Sequence, residues 1–287
     1  MSDVVVTGAG GFVGRHLVAM LRADGVDVAG WIRADVDLCD PQAVAAAVRR
    51  ERPRVLFHLA SGAVAPERQT PNCIATEVAI TAAIVAALPP GTILVQAGSM
   101  AEYGHAGRLT ETDSAEPTSV YGRAKLAASH YALEHGAATG IAVTVARIFG
   151  VYGAGEMAGR LTSTLIEQLR NGQPVALSDG LQKRDFIHVS DVCRTLVKLA
   201  ALTPEPVGRV VNVGTGQAIT VRLACERIAD ALMADRRLLQ FGAVPRRATD
   251  QCVLEANVDR LTALLGAAPP QRFLVHDDAA LRALIGA

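Results

Sequence analysis

The stretch VVVTGAGGFVGRH, residues 4–16, decides the fold class of this chain. Its β-branched residues are typical of a buried strand, and Gly8, Gly11 and Gly14 follow before an apolar-periodic segment that predicts a helix. Glycine lets the backbone turn tightly and approach a ligand closely, and the N-terminus of the following helix attracts phosphate groups. This order of strand, glycine turn and helix predicts a binding site for a dinucleotide.

Composition and charge narrow the class of protein. The chain has 287 residues, half of them hydrophobic, which is enough for one large core or two moderate ones. Lysine plus arginine and aspartate plus glutamate number 28 each, so no overall charge favours nucleic acid or an anionic membrane as a partner. The five cysteines are scattered, and no segment is long and apolar enough to span a bilayer. We therefore expect a cytoplasmic protein with no metal site, no disulfide framework and no membrane partner.

Predicted strands and helices alternate through the first half of the chain. After the first strand, the predicted strands cover residues 26–32, 55–60, 93–96 and 143–149. This alternation predicts an α/β fold of Rossmann type, in which residues 1–150 form a doubly wound parallel sheet that binds the dinucleotide. Beyond residue 150 the alternation loosens. Residues 151–287 are therefore predicted to form a smaller C-terminal α/β lobe that binds the substrate, with a segment near 184–213 returning to the first domain.

The end of the second predicted strand should meet the adenosine of the cofactor. An acidic residue usually holds the ribose hydroxyls there, but this chain has Ile32 followed by Arg33, and an arginine suits a 2′-phosphate. We therefore expect NADPH as the cofactor, with NADH as a second possibility, while a solvated arginine at the strand end is the alternative interpretation. Asp37 is positioned to receive the adenine amino group. His58, inside the third predicted strand, is expected to be a core residue and not a catalyst.

Tyr121 and Lys125 lie four residues apart, so they share one face of a helix predicted to begin near Ser119. The reduction of a ketone needs a proton donor and a second donor that holds the carbonyl oxygen, and Tyr121 and Ser99 suit these two roles. The ammonium of Lys125 favours the phenolate of Tyr121 and is positioned to hold the nicotinamide ribose. The structural alternative is an ordinary contact between Tyr121 and Lys125 on a surface helix.

A longer series of motifs contains these residues: TGAGGFVG at 7–14, DL at 37–38, HLA at 58–60, Ser99 ahead of Tyr103-Gly104, YGRAK at 121–125, RIFGVYGAG at 147–155, RDFIHVSD at 184–191, NVGTG at 212–216 and Arg247-x-x-Asp250. In this order the chain resembles the extended short-chain dehydrogenase/reductase family, and within it the nucleotide-sugar enzymes. The resemblance implies a nucleoside-diphosphate sugar in the second lobe, with Arg184 and Arg247 near its nucleotide or phosphates. Each arginine by itself would more often form a surface ion pair.

The resemblance also implies a homodimer, in which the apolar helix at 72–88 and the alanine-rich helix at 119–137 pair with their symmetry copies. The alternative is that both helices are buried inside one subunit. The catalytic residues that follow from the sequence are Ser99, Tyr121 and Lys125. The predicted cofactor-binding residues are Gly8, Gly11, Phe12, Val13, Gly14, Arg33, Asp37, Leu38, Leu59, Ala60, Ser61, Tyr121 and Lys125. The predicted substrate-binding residues are Ser99, Gly150, Arg184 and Arg247.

Departures from the family pattern narrow the expected reaction. Sugar 4,6-dehydratases carry Asp-Glu after the hydroxyl residue, where this chain has Met100-Ala101, so dehydration is disfavoured. A cysteine that serves epimerisation in the fucose-synthase branch is replaced by Ala101, and an asparagine that contacts the substrate in many members is replaced by Gly150. The expected reaction is the NAD(P)H-dependent reduction of a nucleoside-diphosphate 4-keto-6-deoxyhexose. A nucleotide-sugar 4-epimerase with tightly bound NAD is the alternative, and a regulator that binds the dinucleotide without turnover is a third interpretation.

Overall fold

A parallel six-stranded sheet forms the centre of the molecule, as a computed structural model shows; the model describes residues 2–62, 70, 72–202, 208–247, 250–274 and 278–286. In spatial order the strands are β11 (Arg209–Val213), β6 (Ala142–Ile148), β4 (Ile93–Ser99), β3 (Val55–His58), β1 (Val4–Thr7) and β2 (Val28–Trp31). The order reverses between β1 and β3, and ligands of such sheets bind in the crevice at this point. This arrangement confirms the predicted Rossmann-type α/β fold.

Helices cover both faces of this sheet because its strands are apolar on both sides. Val5 and Val6, neighbours in β1, are both fully buried and contribute to two different core clusters. One face is covered by α1 (Phe12–Ala23) and α6 (Val189–Ala200), and the other by α2 (Pro41–Glu51), α3 (Asn72–Ala87) and α4 (Val120–Thr139). The segment that contains α6 and β11 lies in sequence between two parts of the smaller lobe and packs on the large sheet.

Most of the residues after β6 build a second core beside the first. Its helices are α5 (Leu161–Arg170), α7 (Val221–Ala231) and α9 (Asp278–Leu284), while Leu261 of α8 (Asp259–Leu265) packs in the core of the large sheet. The strands of this part of the chain outside the large sheet are β7 (Gly150–Tyr152), β8 (Val175–Leu177), β9 (Lys183–Arg184), β10 (Phe186–His188), β12 (Ile219–Thr220), β13 (Leu239–Phe241) and β14 (Val253–Ala256). Tyr152 and Phe273 stack at the centre of this core with ring centroids 4.6 Å apart.

Several element boundaries differ from the sequence-based expectations. β5 (Gly107–Leu109) is not among the strands predicted for the first half of the chain, and β13 and β14 lie beyond residue 150, where neither strand was predicted individually. These strands are short and pair with distant segments, since β14 lies between β5 and β9 in one sheet. The second strand begins at Val28 and not at Val26, because the Val26 N–H donates to Leu21 O at the end of α1. β4 continues to Ser99.

The cysteines and charged side chains form no evident metal or disulfide site in the described part of the chain. All five cysteines are free thiols, and among the described residues no group of three or more His, Cys, Asp or Glu side chains is placed to hold a metal ion. None of the described helices combines the length and the apolar character that crossing a membrane requires.

Candidate active site

The glycine turn after β1 has the geometry of a phosphate-binding loop. Gly8 has φ +66°, and a Cβ atom there would lie 2.7 Å from Ala60 N. A Cβ atom at Gly14 would lie 2.1 Å from Gly8 O, so neither position tolerates a side chain. Helix α1 starts at Phe12, which is followed by Val13. Its N-cap residue Gly11 provides no side-chain hydrogen bond to the first turn. This backbone cradle at a helix N-terminus fits the pyrophosphate of a dinucleotide.

The ends of β2 and β3 lie on either side of this cradle, where the adenosine is predicted to bind. Ile32, directly after β2, is 43% exposed, and Arg33 is exposed beside it. Asp37 accepts a hydrogen bond from Cys39 N–H at 3.0 Å, while Leu38 packs against the core under this edge. No carboxylate therefore stands at residue 32 or 33, where a ribose would be held.

Leu59, Ala60 and Ser61 follow β3, and Leu59 and Ala60 lie against Gly8 of the glycine turn. Ala60 N–H donates to Thr7 Oγ1 at 3.3 Å, which fixes this segment to the end of β1. His58, the last residue of β3, is fully buried, and one of its ring nitrogens lies 2.7 Å from Thr7 Oγ1. Burial, together with the nearby Lys125 charge, lowers the pKa of His58 to about 3, so it is neutral at physiological pH. This confirms the expected core role of His58.

Ser99 and Tyr121 are brought to the same edge by a close helix contact. Ser99 ends β4, and its Oγ accepts a hydrogen bond from Ala101 N–H at 3.2 Å. Tyr121 lies in the first turn of α4, where the N-cap Ser119 accepts a hydrogen bond from Gly122 N–H at 2.9 Å. A Cβ atom at Gly122 would lie 2.2 Å from Ala101 O. Because only glycine fits this contact, the first turn of α4 can rest on the turn that follows Ser99.

Lys125 lies one helical turn after Tyr121 and is buried, with 3% of its side chain exposed. Its Nζ is 3.1 Å from Oε1 of Glu77, a glutamate on α3 whose side chain is 1% exposed. Burial acts to lower the pKa of Lys125, but the charges of Glu77 and then of Tyr121 raise it above the usual lysine value. Burial acts to raise the pKa of Glu77, but Lys125 and the Gly62 N–H hold it below its usual value. Both groups are therefore charged at neutral pH.

A second buried glutamate, Glu102, organises the turn after Ser99. Its Oε1 accepts hydrogen bonds from Ser99 N–H at 2.8 Å and from Ser129 Oγ at 3.2 Å. Its Oε2 accepts a hydrogen bond from Arg147 Nε at 2.8 Å, and the side chain is fully buried. All of these bonds keep Glu102 pointed into the protein, so its carboxylate fixes the backbone of Ser99 and is not available for proton transfer.

The second lobe presents arginines around Asp250. Arg184 Nη2 pairs with the Asp250 carboxylate, and its Nη1 donates to Gln251 O at 2.8 Å. Arg247 is exposed, and its carbonyl accepts a hydrogen bond from Asp250 N–H at 2.9 Å. The structure therefore joins Arg184 to the Arg247-x-x-Asp250 motif. Arg246, which the sequence analysis did not select, is bound through Nη2 to both carboxylate oxygens of Asp179 at 2.7 Å.

Gly150 begins β7 and touches the segment that carries Arg184. Its N–H donates to Asp185 O at 2.9 Å, and a Cβ atom at Gly150 would lie 2.8 Å from the same oxygen. Asp185 is fully buried and accepts hydrogen bonds from the N–H groups of Thr215, Gly216 and Ala256. It thereby ties the motif at 184–191 to the motif at 212–216. An asparagine cannot replace Gly150 without a backbone shift, so this residue offers a ligand only its backbone.

The family model for the NAD dependent epimerase/dehydratase family matches residues 4–214, which include the glycine turn, Ser99, Tyr121, Lys125 and the returning segment. The chain belongs to this family. Its relatives are nucleotide-sugar dehydrogenases, reductases and epimerases.

Two relatives and one solved structure illustrate the similarity. The dTDP-6-deoxy-L-talose 4-dehydrogenase (NAD(P)(+)) of Kitasatospora kifunensis is 32% identical over 254 residues, covering 79% of this chain and 78% of the relative. The GDP-6-deoxy-D-mannose reductase of Pseudomonas aeruginosa is 29% identical over 269 residues, covering 86% of each chain. The structure of MoeE5 in complex with UDP-glucose and NAD aligns with a TM-score of 0.82 at 30% identity, covering 99% of this chain and 97% of that one.

Sequence reasoning did not select Glu77 or Glu102 of this family member. A glutamate in an otherwise apolar helix is a usable signal, because a buried carboxylate is rare unless it is paired. Glu77 is the only acidic residue between 72 and 88. The identity of its partner is not visible from local sequence, since Lys125 lies 48 residues further along the chain.

Proposed function

We propose that this protein reduces the 4-keto group of a nucleoside-diphosphate 4-keto-6-deoxyhexose with NADPH, with NADH as the alternative cofactor. One observation carries the proposal: Ser99, Tyr121 and Lys125 lie at the cofactor edge, while the turn after Ser99 offers no free acid or base. Met100 and Ala101 cannot transfer a proton, and Glu102 is held by Ser99, Ser129 and Arg147. Such a site supports hydride chemistry without elimination.

The proposed reaction assigns one role to each catalytic side chain. A dinucleotide in the glycine cradle would supply the hydride to the carbonyl carbon. Tyr121 donates a proton to the carbonyl oxygen, and Ser99 donates a hydrogen bond to the same oxygen. Ser99 can do so because its Oγ only accepts in the hydrogen bond with Ala101 N–H, which leaves its hydroxyl hydrogen available. Lys125 holds the nicotinamide ribose and places a positive charge beside Tyr121.

The smaller lobe, residues 151–287, is proposed to bind the nucleoside diphosphate. Arg184 and Arg247 suit its phosphates, because the guanidinium group matches phosphate geometry. The activities named for the Kitasatospora and Pseudomonas relatives, which concern 6-deoxyhexoses linked to a nucleotide, support this substrate class. Both NAD(P)(+) and NAD occur in the relatives' names, so Arg33 is the basis for preferring NADPH.

A nucleotide-sugar 4-epimerase is the alternative function, and the similarity to the Thermus thermophilus UDP-glucose 4-epimerase in complex with NAD, at 26% identity and a TM-score of 0.82, favours it. An epimerase must return the hydride to its own intermediate, so it retains its dinucleotide and consumes none. A reductase must exchange its cofactor in every cycle. Tight retention of the dinucleotide is therefore expected of the epimerase and not of the reductase.

The deciding experiment measures bound cofactor and turnover on the same purified protein. We expect little bound dinucleotide and the oxidation of one NADPH for each nucleoside-diphosphate 4-keto-6-deoxyhexose reduced. Tightly bound NAD and interconversion of 4-epimeric nucleotide sugars without NADPH loss would assign the epimerase instead. A protein that binds the dinucleotide and performs neither reaction would be the non-catalytic regulator.

We also propose that the protein is a homodimer formed through α3 and α4. The two helices pack on each other, and α3 exposes a stripe of small residues at Ala75, Ala79 and Ala86. α3 is therefore not buried on all sides within one subunit, and a second copy would cover this stripe. Light scattering at micromolar concentration should give the dimer mass, and a monomer mass would contradict the proposal.

A further inference from the structure

The carboxylate of Glu77 stands between the catalytic lysine and the cofactor loop. Oε1 accepts the hydrogen bond from Lys125 Nζ at 3.1 Å, and Oε2 accepts one from Gly62 N–H at 2.9 Å. The Ser61 hydroxyl is a third donor to the same carboxylate. Ser61 and Gly62 follow β3 in the segment that flanks the glycine cradle. One buried side chain thus connects α4, α3 and the loop after β3.

Because Lys125 and Glu77 are both buried, each charge depends on the other for its stabilisation. With 3% of the Lys125 side chain and 1% of the Glu77 side chain exposed, neither charge is solvated by water. A buried ammonium without a counter-ion loses its proton readily. Removing the partner of a buried charge also costs far more folding free energy than breaking a surface ion pair. The Lys125 charge at the active site therefore depends on Glu77.

The other titratable and charged groups near the pair do not replace this carboxylate. His58 on β3 is buried and neutral, and Cys73 on α3 is a thiol whose pKa burial raises. Glu102 contributes a weaker attraction to Lys125 and is itself paired with Arg147. On α4, Tyr121 interacts electrostatically with Lys125, and Arg123 interacts electrostatically with Cys73. Glu77 is the carboxylate that is hydrogen-bonded to the ammonium.

We propose that Glu77 is a positioning residue of the active site, which keeps the buried Lys125 ammonium charged and fixed beside Tyr121 while it holds the Ser61–Gly62 loop against the cofactor site. The proposal rests on the proposed reductase function only for its effect on turnover. Its effect on Lys125 is a property of the protein alone. The proposed effect of Glu77 on Lys125 and the proposed reductase function can therefore be contradicted separately.

The test follows the protonation of Lys125 directly. The chain has only three lysines, Lys125, Lys183 and Lys198, so NMR of protein labelled at the lysine side chain gives three signals, and Lys125→Met assigns the first. In Glu77→Gln the amide still accepts a hydrogen bond but carries no charge. We expect the Lys125 signal to titrate at least about one pH unit lower than in the wild type. Lys183 and Lys198 serve as internal references that should titrate alike in both proteins.

Turnover supplies the second readout. If the protein reduces a 4-keto sugar, the alkaline limit of kcat should move to lower pH in Glu77→Gln by the same amount as the Lys125 signal. The matched control is Asp191→Asn, which removes another buried carboxylate, paired with Arg272 at 2.6 Å, from the start of α6. It should lose stability without moving the Lys125 signal or the pH profile.

A conservative variant keeps the proposal testable if Glu77→Gln does not fold. Glu77→Asp retains the charge but shortens the side chain, so Lys125 should titrate within about half a pH unit of the wild type while NADP binding weakens several-fold. A Lys125 signal in Glu77→Gln that titrates as in the wild type would overturn the proposal. Wild-type NADP affinity in Glu77→Asp would overturn it equally. A shifted Lys125 signal in a protein that reduces no 4-keto sugar would instead reject the reductase function.

Discussion

Gly122 in the first turn of α4 lies directly against the carbonyl of Ala101, so that a Cβ atom at Gly122 would come within 2.2 Å of Ala101 O. The Ala101 carbonyl belongs to the turn that follows Ser99, and Gly122 is the residue after Tyr121. This single backbone contact therefore sets the distance between Tyr121, the proposed proton donor, and Ser99, the proposed hydrogen-bond donor.

Gly122→Ala should force α4 away from the Ser99 turn. We expect a stability loss of about 1–3 kcal/mol from overpacking, and a fall in kcat of about tenfold or more because Tyr121 is displaced. The control is Gly136→Ala on the same helix, where the new Cβ would meet Val143 Cγ2 at 2.3 Å, far along α4 from Tyr121. It should destabilise the protein with little change in kcat. Equal kcat losses in both variants would show that the Ala101 contact has no special role.

Tyr121→Phe tests the proposed proton donor. The variant lacks the phenolic hydroxyl but leaves the glycine cradle intact, so turnover should fall by a factor of about 10² or more while NADPH still binds. Ser99→Ala should also reduce turnover, through the loss of carbonyl positioning. Lys125→Met should reduce both turnover and cofactor affinity. Steady-state kinetics and fluorescence titration with NADPH measure these effects, and near-normal turnover in Tyr121→Phe would exclude the mechanism.

The fold of the large domain was predictable because its signals are local. Runs such as the valines of β1 identify strands, and the glycines of 8–14 identify the turn that must approach Ala60. The short strands β5 and β14 could not be predicted in this way. Leu254 of β14 pairs with Gly107 of β5, so their extended conformation depends on tertiary pairing more than on local residue preference.

In the candidate site, the relation between residues on one helix was predictable for the same reason. Tyr121 and Lys125 are one helical turn apart, so their shared face follows from sequence spacing. The counter-ion Glu77 and the backbone clamp Glu102 were not selected, because their partners Lys125 and Arg147 lie on other elements. Sequence spacing thus identified groups on one helix, while the ion pairs between different elements are visible only in the folded structure.

Arg33→Ala tests the proposed preference for NADPH. Arg33 is exposed at the end of β2 beside Ile32, and neither residue offers a carboxylate to a ribose. If Arg33 pairs with the 2′-phosphate, its removal should weaken NADPH binding about tenfold or more and leave NADH binding almost unchanged. Arg22→Ala, which removes an exposed arginine from the end of α1, is the control and should not alter the preference. Wild-type protein that binds NADH as tightly as NADPH in calorimetric titrations would contradict the prediction.

Glu156, which lies outside the proposed catalytic site, makes the stability of the folded protein depend on pH. It lies after β7 at the edge of a cavity of about 340 Å³, which Glu167 and Arg170 of α5 also line. Its Oε2 is buried and finds no hydrogen-bond partner among the described residues. Burial raises the pKa of Glu156 to about 7, and hydrogen bonds from Thr162 and Ser163 offset only part of this effect.

The sign of the effect follows from the direction of this shift. An unfolded chain releases the proton near pH 4.5 and the folded protein near pH 7, so folded stability decreases as the pH rises through this interval and stays reduced above it. Glu156→Gln should therefore raise the melting temperature at pH 8 by roughly 2–4 °C, allowing for partial solvent access, and change it little at pH 5. Glu167→Gln, an exposed change at the same cavity, should show no such difference between the two pH values. Calorimetry at both pH values decides the prediction: equal effects of Glu156→Gln at pH 5 and pH 8 would mean that Glu156 is already ionised in the folded protein at pH 5.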